Sequence, residues 1–82
     1  MIRITLYGTP SCRRYKKMRQ LVLDEAVRLN ISIHLDEIME TAQLVQFSLL
    51  SLPRLYINDQ LVASQNPPRI EQITKMFEQE KS

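Results

Sequence analysis

The stretch Ile2-Arg3-Ile4-Thr5-Leu6-Tyr7-Gly8-Thr9-Pro10-Ser11-Cys12 decides the fold, because it predicts the end of a strand and the start of a helix. Up to Tyr7 apolar and polar residues alternate, which is the pattern of a half-buried strand. The turn-forming residues 8–11 end that strand, and Ser11 is the expected N-cap of the helix that follows. From Cys12 to about Asn30, apolar residues recur at spacings of three and four, which indicates one buried helix stripe. Its members are Tyr15, Met18, Leu21, Val22, Ala26 and Leu29.

The remainder of the chain predicts a second strand and helix, a hairpin and a last helix. Apolar residues alternate over 31–35 and then take helical spacing over 36–48, where Asp36 or Thr41 could start the helix. Pro53 ends this helical pattern. A hairpin with strands 54–57 and 61–64 turns at Asn58-Asp59, since both residues tolerate positive φ. The last helix is expected to open at Asn66-Pro67-Pro68, and residues 79–82 are expected to fray.

This order of elements predicts an α/β fold in a single domain covering residues 1–82. The opening strand, helix and strand require a right-handed crossover between two parallel strands. The closing hairpin adds an antiparallel pair, so the sheet is mixed, with helices on both faces.

Composition excludes several classes of site. The chain has 82 residues with one Cys, one Gly and one His. A single cysteine rules out an internal disulfide or a zinc knuckle, and a single glycine rules out the glycine-rich phosphate loops. A metal site built on His34 is not expected. The net charge of +2 is too small to indicate nucleic acid, and no aromatic residues interleave with the basic ones.

Cys12 is the best nucleophile candidate in the chain. It stands where a strand meets the N-terminus of a helix, and the free N–H groups there favour a negative charge. Five cations follow it, namely Arg13, Arg14, Lys16, Lys17 and Arg19. Both effects favour the thiolate, which is the form that attacks disulfides. The alternatives are that Cys12 is a small buried core residue and that the cations form the solvated face of a helix.

Residues 7–12, followed by a helix and then by Ser51-Leu52-Pro53 before a strand, resemble the thioredoxin and glutaredoxin superfamily. The similarity extends from Ile2 to about Phe77 and is closest to small thioredoxin-like redox-disulfide proteins. It implies the minimal order βαβαββα, a sheet order of 2-1-3-4 and a cis peptide bond between Leu52 and Pro53. It also implies that Cys12 is catalytic and that the backbone of Leu52, beside Pro53, contacts a bound peptide or glutathione.

The sequence departs from that family at Tyr15, which stands where the second cysteine of the CxxC motif would be. Dithiol chemistry within one chain is therefore excluded, and monothiol exchange resolved by an external thiol is the first hypothesis. Arg13 and Arg14 would attract an anionic thiol or an acidic partner. The expected substrate-binding residues are these two arginines with Tyr15, Leu52 and Pro53, although Tyr15 is expected to pack inward. The second hypothesis is a redox-inactive adaptor that docks a partner protein.

The remaining expectations concern partners and location. No cofactor and no metal are expected, although glutathione is a possible co-substrate. The partners are a protein or a low-molecular-weight thiol, with no nucleic acid and no membrane, and the chain is a monomer or a weak dimer. A disulfide between two copies of Cys12 is a third option under oxidation. The absence of a signal peptide and of an apolar run near 18 residues predicts a cytoplasmic protein.

Overall fold

A computed structural model describes residues 1–81. The strands are β1 (Ile2–Tyr7), β2 (Ile33–Ile38), β3 (Arg54–Ile57) and β4 (Gln60–Ser64). The helices are α1 (Arg13–Arg28), α2 (Thr41–Leu44) and α3 (Ile70–Lys81), and a 3₁₀ turn spans Leu49–Ser51.

The four strands form one mixed sheet in the order β2-β1-β3-β4, which confirms the predicted architecture. β1 pairs parallel with β2 and antiparallel with β3, and β3 pairs antiparallel with β4. At the hairpin turn Asn58 and Asp59 have φ values of 48° and 69°, as the sequence predicted. The Asn58 side chain also accepts a hydrogen bond of 2.9 Å from the Arg3 N–H, which fixes the turn against β1.

The main core lies between the sheet and the helices α1 and α3. Alternation along β1 places Ile4 and Leu6 on this side with no exposed surface. Tyr15 and Met18 from α1 and Phe77 from α3 meet them there. The other buried apolar members of this core are Ile2, Val22, Ala26, Leu55, Ile57 and Ile73. The predicted stripe of α1 is therefore the face that packs on the sheet.

The opposite face of the sheet carries a smaller aromatic cluster. The Tyr7 ring packs edge-on against Phe47 and Tyr56, with ring centroids 4.9 and 5.7 Å apart. The Arg54 guanidinium lies 4.5 Å from the centroid of the Phe47 ring and donates a 3.1 Å hydrogen bond to the Tyr56 hydroxyl. Phe47, which follows α2, thereby covers one end of this face.

The second helix is much shorter than predicted. Helical spacing suggested residues 36–48, but α2 covers Thr41–Leu44 alone, and Asp36 belongs to β2. The parallel pairing of β2 with β1 continues to Ile38, opposite Tyr7, so strand hydrogen bonds outweigh the local periodicity. Val45, placed on the predicted apolar stripe, is 71% exposed.

Several element boundaries also differ from the prediction. The N-cap of α1 is Cys12 rather than Ser11, because the chain is still turning at Ser11. β2 begins at Ile33 instead of residue 31, since α1 ends in a turn with Asn30 at a φ of 54°. α3 begins at Ile70 and not at Asn66, because two successive prolines hold the chain extended. Residues 79–81 are helical rather than frayed, and Ser82 lies outside the described residues.

A buried carboxylate joins α1 to α3. Glu25 is 2% exposed, and Arg28 donates to its two oxygens over 2.7 and 2.5 Å. The Thr74 hydroxyl of α3 donates to the same carboxylate. Hydrogen bonds from Arg28, opposed by desolvation and aided by Thr74, hold the pKa of Glu25 below its ordinary value. The charged form is therefore the one that the fold stabilises.

We expect Glu25 to make stability depend on pH. A group whose pKa is depressed by folding stabilises the fold above its unfolded pKa of about 4.3, and that contribution is lost as the pH falls through the folded value. The urea midpoint of the natural chain should therefore fall more steeply between about pH 5 and about pH 3 than that of Glu25→Gln, which cannot ionise. Parallel curves for the two proteins would contradict this assignment.

Within residues 1–81, none of the helices combines the length and the apolar character needed to cross a membrane.

Candidate active site around Cys12

Cys12 is the N-cap residue of α1 and has a free, half-buried thiol. Its backbone is extended, with φ −74° and ψ 130°. The Cys12 N–H donates to the Thr9 carbonyl over 3.0 Å, and its own carbonyl accepts the Lys16 N–H over 3.1 Å. The side chain makes no capping hydrogen bond. The sulfur therefore lies at the positive end of the helix dipole without being engaged by the helix backbone.

The charge around Cys12 is positive. The first turn of α1 contains no acidic residue, and Arg13, Arg14 and Lys16 are exposed to solvent. Arg19 differs from them, since its Nε lies 3.0 Å from Glu37 Oε1 in a salt bridge. The exposed cations can therefore contact an anionic group that approaches the thiol, whereas the charge of Arg19 is already paired with Glu37.

Tyr15 lies one turn after Cys12 and points into the core, where it is 1% exposed. Its hydroxyl donates a 2.7 Å hydrogen bond to Glu37 Oε1, the same oxygen that Arg19 contacts. Burial first, and then the hydrogen bond and charge of Glu37, raise the pKa of Tyr15 above its ordinary value. Tyr15 therefore stays a neutral phenol near neutral pH, which agrees with a packing role. In the structure it does not reach the surface on which a substrate would lie.

Gly8 is the point where the start of α1 and the start of β3 meet. A Cβ added to Gly8 would stand 2.7 Å from Cδ2 of Tyr15 and 3.1 Å from the Cβ of Pro53. The first of these distances is too short for any real pair of carbon atoms in ordinary contact. The only glycine of the chain is thus required for close packing, with Tyr15 on one side and Pro53 on the other.

The peptide bond between Leu52 and Pro53 is cis. Pro53 is buried and Leu52 is half-buried. The Pro53 carbonyl accepts the Gln65 N–H over 2.9 Å, and the Ser51 carbonyl accepts the Ser64 hydroxyl over 2.8 Å. The end of β4 therefore holds this segment in place beside Gly8.

The structure thus brings together part of the residue set named from the sequence. Tyr15 and Pro53 pack on either side of Gly8, Arg13 and Arg14 point outward, and Cys12 begins the helix that carries them. Sequence reasoning missed Gly8 as a packing residue and Glu37 as the acceptor for Tyr15. The position of the only glycine directly before the helix could have indicated the first. No group of three His, Cys, Asp or Glu that could hold a metal occurs within residues 1–81.

Comparisons with known proteins agree with this geometry at the level of the fold. The family model described as a thioredoxin domain matches residues 2–78. The search of curated proteins gave no match. Among solved structures, the chain is similar to thioredoxin 1 from the thermophilic eubacterium Thermosipho africanus TCF52B, with a TM-score of 0.53 and 18% identity over 98% of this chain and 99% of that one. An identity this low shows a shared fold and nothing finer.

Proposed function

We propose, since the chain belongs to the thioredoxin domain family, that it carries out monothiol thiol–disulfide exchange with Cys12 as the nucleophile. The thiolate of Cys12 attacks one sulfur of a substrate disulfide, whose S–S bond breaks and whose other sulfur leaves as a thiolate. The product is a mixed disulfide on Cys12. An external thiol then attacks that mixed disulfide and releases Cys12 as a thiolate again.

The observation that carries this proposal is that Cys12 has a free thiol while Tyr15 occupies the position of the second cysteine in the family motif. The sulfur of Cys12 lies at a helix N-terminus that has exposed cations and no acidic residue in its first turn. The position one turn later holds Tyr15, whose ring is buried against Gly8 and whose hydroxyl is bonded to Glu37. Described residues therefore offer a nucleophile and no second sulfur to resolve its adduct.

Substrate recognition is assigned to the residues around the Cys12 thiol, namely Arg13, Arg14 and Leu52, which together are called the rim of the site. Arg13 and Arg14 are exposed next to the thiol and would attract an anionic thiol such as glutathione or an acidic protein surface. The half-buried Leu52 would offer its backbone groups to an extended peptide, as in the family that the sequence resembles. Pro53 holds that backbone beside Gly8. A reducing compartment such as the cytoplasm would supply the resolving thiol.

The test is the formation and release of a mixed disulfide on Cys12. After incubation with oxidised glutathione, the intact mass of the natural chain should increase by one glutathionyl group, and added reduced glutathione should reverse the increase. Cys12→Ser should gain no mass. Arg13→Gln with Arg14→Gln should form the adduct more slowly, because two exposed charges that attract the anionic glutathione are removed. Failure of the folded natural chain to form any adduct would overturn the proposal.

A redox-inactive adaptor is the second candidate function, and the packing of Tyr15 favours it. A large ring that fills the resolving position keeps the fold intact without dithiol chemistry. In that case the surface around Cys12 would dock a partner protein without covalent capture. Cys12→Ser would then bind the same partner as tightly as the natural chain, whereas monothiol exchange requires the sulfur.

A further inference from the structure

The outer edge of β2 is open in the part of the chain that the structure describes. β2 is the first strand of the sheet, and β1 is its neighbour on the inner side. The Ser32 carbonyl, just before β2, accepts the Ile2 N–H over 3.2 Å, so it points toward β1. Backbone groups of successive strand residues point to opposite sides, so the even-numbered residues of β2 face β1. The N–H and C=O groups that point outward belong to Ile33, Leu35 and Glu37.

The same edge is apolar on the side of the sheet that α1 covers. A groove there is lined by Leu23 and Val27 of α1 and by Ile31 and Ile33 beside it. Val27 is 81% exposed, although it is a large apolar residue, and it lies beside the start of β2. The open hydrogen-bonding row of β2 therefore runs next to an exposed apolar strip.

The open edge is complementary to itself. In an antiparallel pair of β2 strands centred on Leu35, the outward backbone groups of Leu35 would bond to Leu35 of a second copy. In that register Ile33 pairs with Glu37 of the second copy, and both have outward backbone groups. His34 lies opposite Asp36 of the second copy at a position without backbone hydrogen bonds, where side chains approach most closely. This one register thus gives hydrogen-bond partners to the outward backbone groups and places His34 opposite Asp36 at two points.

Within one chain, His34 and Asp36 already form a 2.8 Å hydrogen bond, and their side chains are 58% and 46% exposed. Both can therefore accept a further partner without leaving the sheet. The two-fold arrangement would gather two imidazoles and two carboxylates in alternation across the join. Because Val27 lies beside Ile33, and Ile33 is opposite Glu37 of the second copy, each Val27 would lie near the end of the other copy's β2 on the same side of the joined sheet.

We propose that two copies of this chain associate noncovalently through antiparallel pairing of their β2 edges, with the two-fold axis at Leu35, to form a continuous eight-stranded sheet. The proposal is independent of the chemistry of Cys12, which lies in the loop after β1 and not on the β2 edge.

The experiment is sedimentation in the presence of a reductant, which removes any disulfide between copies of Cys12. Over about two orders of magnitude in concentration, the natural chain should change from monomer to dimer. His34→Glu places a carboxylate opposite Asp36 at two points, and Asp36→Lys removes the acceptor of His34. Each variant alone should weaken the dimer by about tenfold or more. Mixing the two should restore association as a heterodimer, because the new carboxylate and the new ammonium then face each other.

Leu61→Lys on β4 is the matched control, because it adds a charge to the other edge strand at a residue that is 50% exposed. It should leave the dimer unchanged. Amide exchange supplies a second readout: the Leu35 N–H should become protected as the concentration rises, whereas that of Asp36, which faces β1, should be protected throughout. A chain that stays monomeric, a mixture without heterodimer, or equal weakening by Leu61→Lys would overturn the proposal.

Discussion

Tyr15→Cys should convert the protein from one that holds a glutathione adduct into one that releases it without help. The new thiol would lie one helical turn after Cys12, where the family motif that the sequence resembles has its second cysteine, so we expect it to reach the Cys12 sulfur. It would attack the Cys12 sulfur, free glutathione as a thiolate and leave an internal disulfide. Because that step is intramolecular, release should accelerate by orders of magnitude relative to the natural chain at low thiol concentration. Mass spectrometry of the quenched reaction would measure the lifetime of the adduct.

Tyr15→Ser is the control for this experiment. It removes the same ring and the same hydrogen bond to Glu37 but adds no sulfur. Both variants therefore carry a comparable cavity, and each should lose about 3 kcal/mol or more of stability. Circular dichroism should establish that each is folded under the conditions of the reaction. Equal adduct lifetimes in the two folded variants would show that position 15 is not within reach of Cys12, contrary to the geometry proposed for the site.

Phe77→Ala should cause a large loss of stability. Phe77 has no exposed surface and joins α3 to the core formed by β1 and α1. Such a truncation leaves a cavity and costs about 3–5 kcal/mol, whereas a domain of this size has about 4–12 kcal/mol in total. The loss should therefore be a large fraction of the free energy of unfolding, from about a quarter upward. Urea denaturation followed by circular dichroism would measure the change.

Ile70→Ala on the same helix is the matched comparison for Phe77→Ala. Ile70 is 38% exposed, and alanine is the better helix former, so the expected loss is about 1 kcal/mol or less. If Phe77→Ala lost no more stability than Ile70→Ala, then α3 would not be held to the sheet by this ring.

The strands of the sheet could be predicted because they depend on local patterns. Alternation along β1 and the turn at Asn58-Asp59 are each visible within a few residues, and the start of α1 could be predicted to within one residue. The length of α2 could not be predicted in this way: of the two candidate starts Thr41 was correct, but helical spacing continues to residue 48, whereas the helix ends at Leu44, and residues 36–38 pair with β1. There the hydrogen bonds of a distant strand decide the conformation.

The hydrogen bond from Tyr15 to Glu37 could not be predicted either, because it depends on the register between β1 and β2. Glu37 reaches the Tyr15 hydroxyl because β2 aligns it with Leu6, on the side of the sheet that α1 covers. Nothing in the order of residues gives that alignment. The close packing of Gly8 with Tyr15 and Pro53 likewise brings together the end of β1, the first turn of α1 and the segment before β3, which lies about 45 residues later in the sequence. Sequence patterns therefore located the candidate nucleophile Cys12, whereas tertiary packing determined which residues surround the start of α1.

The single turn of α2 has a consequence for local stability. Between Leu44 and Ser51 the backbone makes isolated turn hydrogen bonds rather than a regular helix, and Val45 and Leu50 are 71% and 77% exposed, although Phe47 between them packs against Tyr7. Such a segment opens at a small fraction of the global unfolding free energy. Pro53 does not depend on it, because its carbonyl is bonded to Gln65 from the far side. The backbone on either side of Phe47 can therefore open locally while Pro53 stays packed beside Gly8.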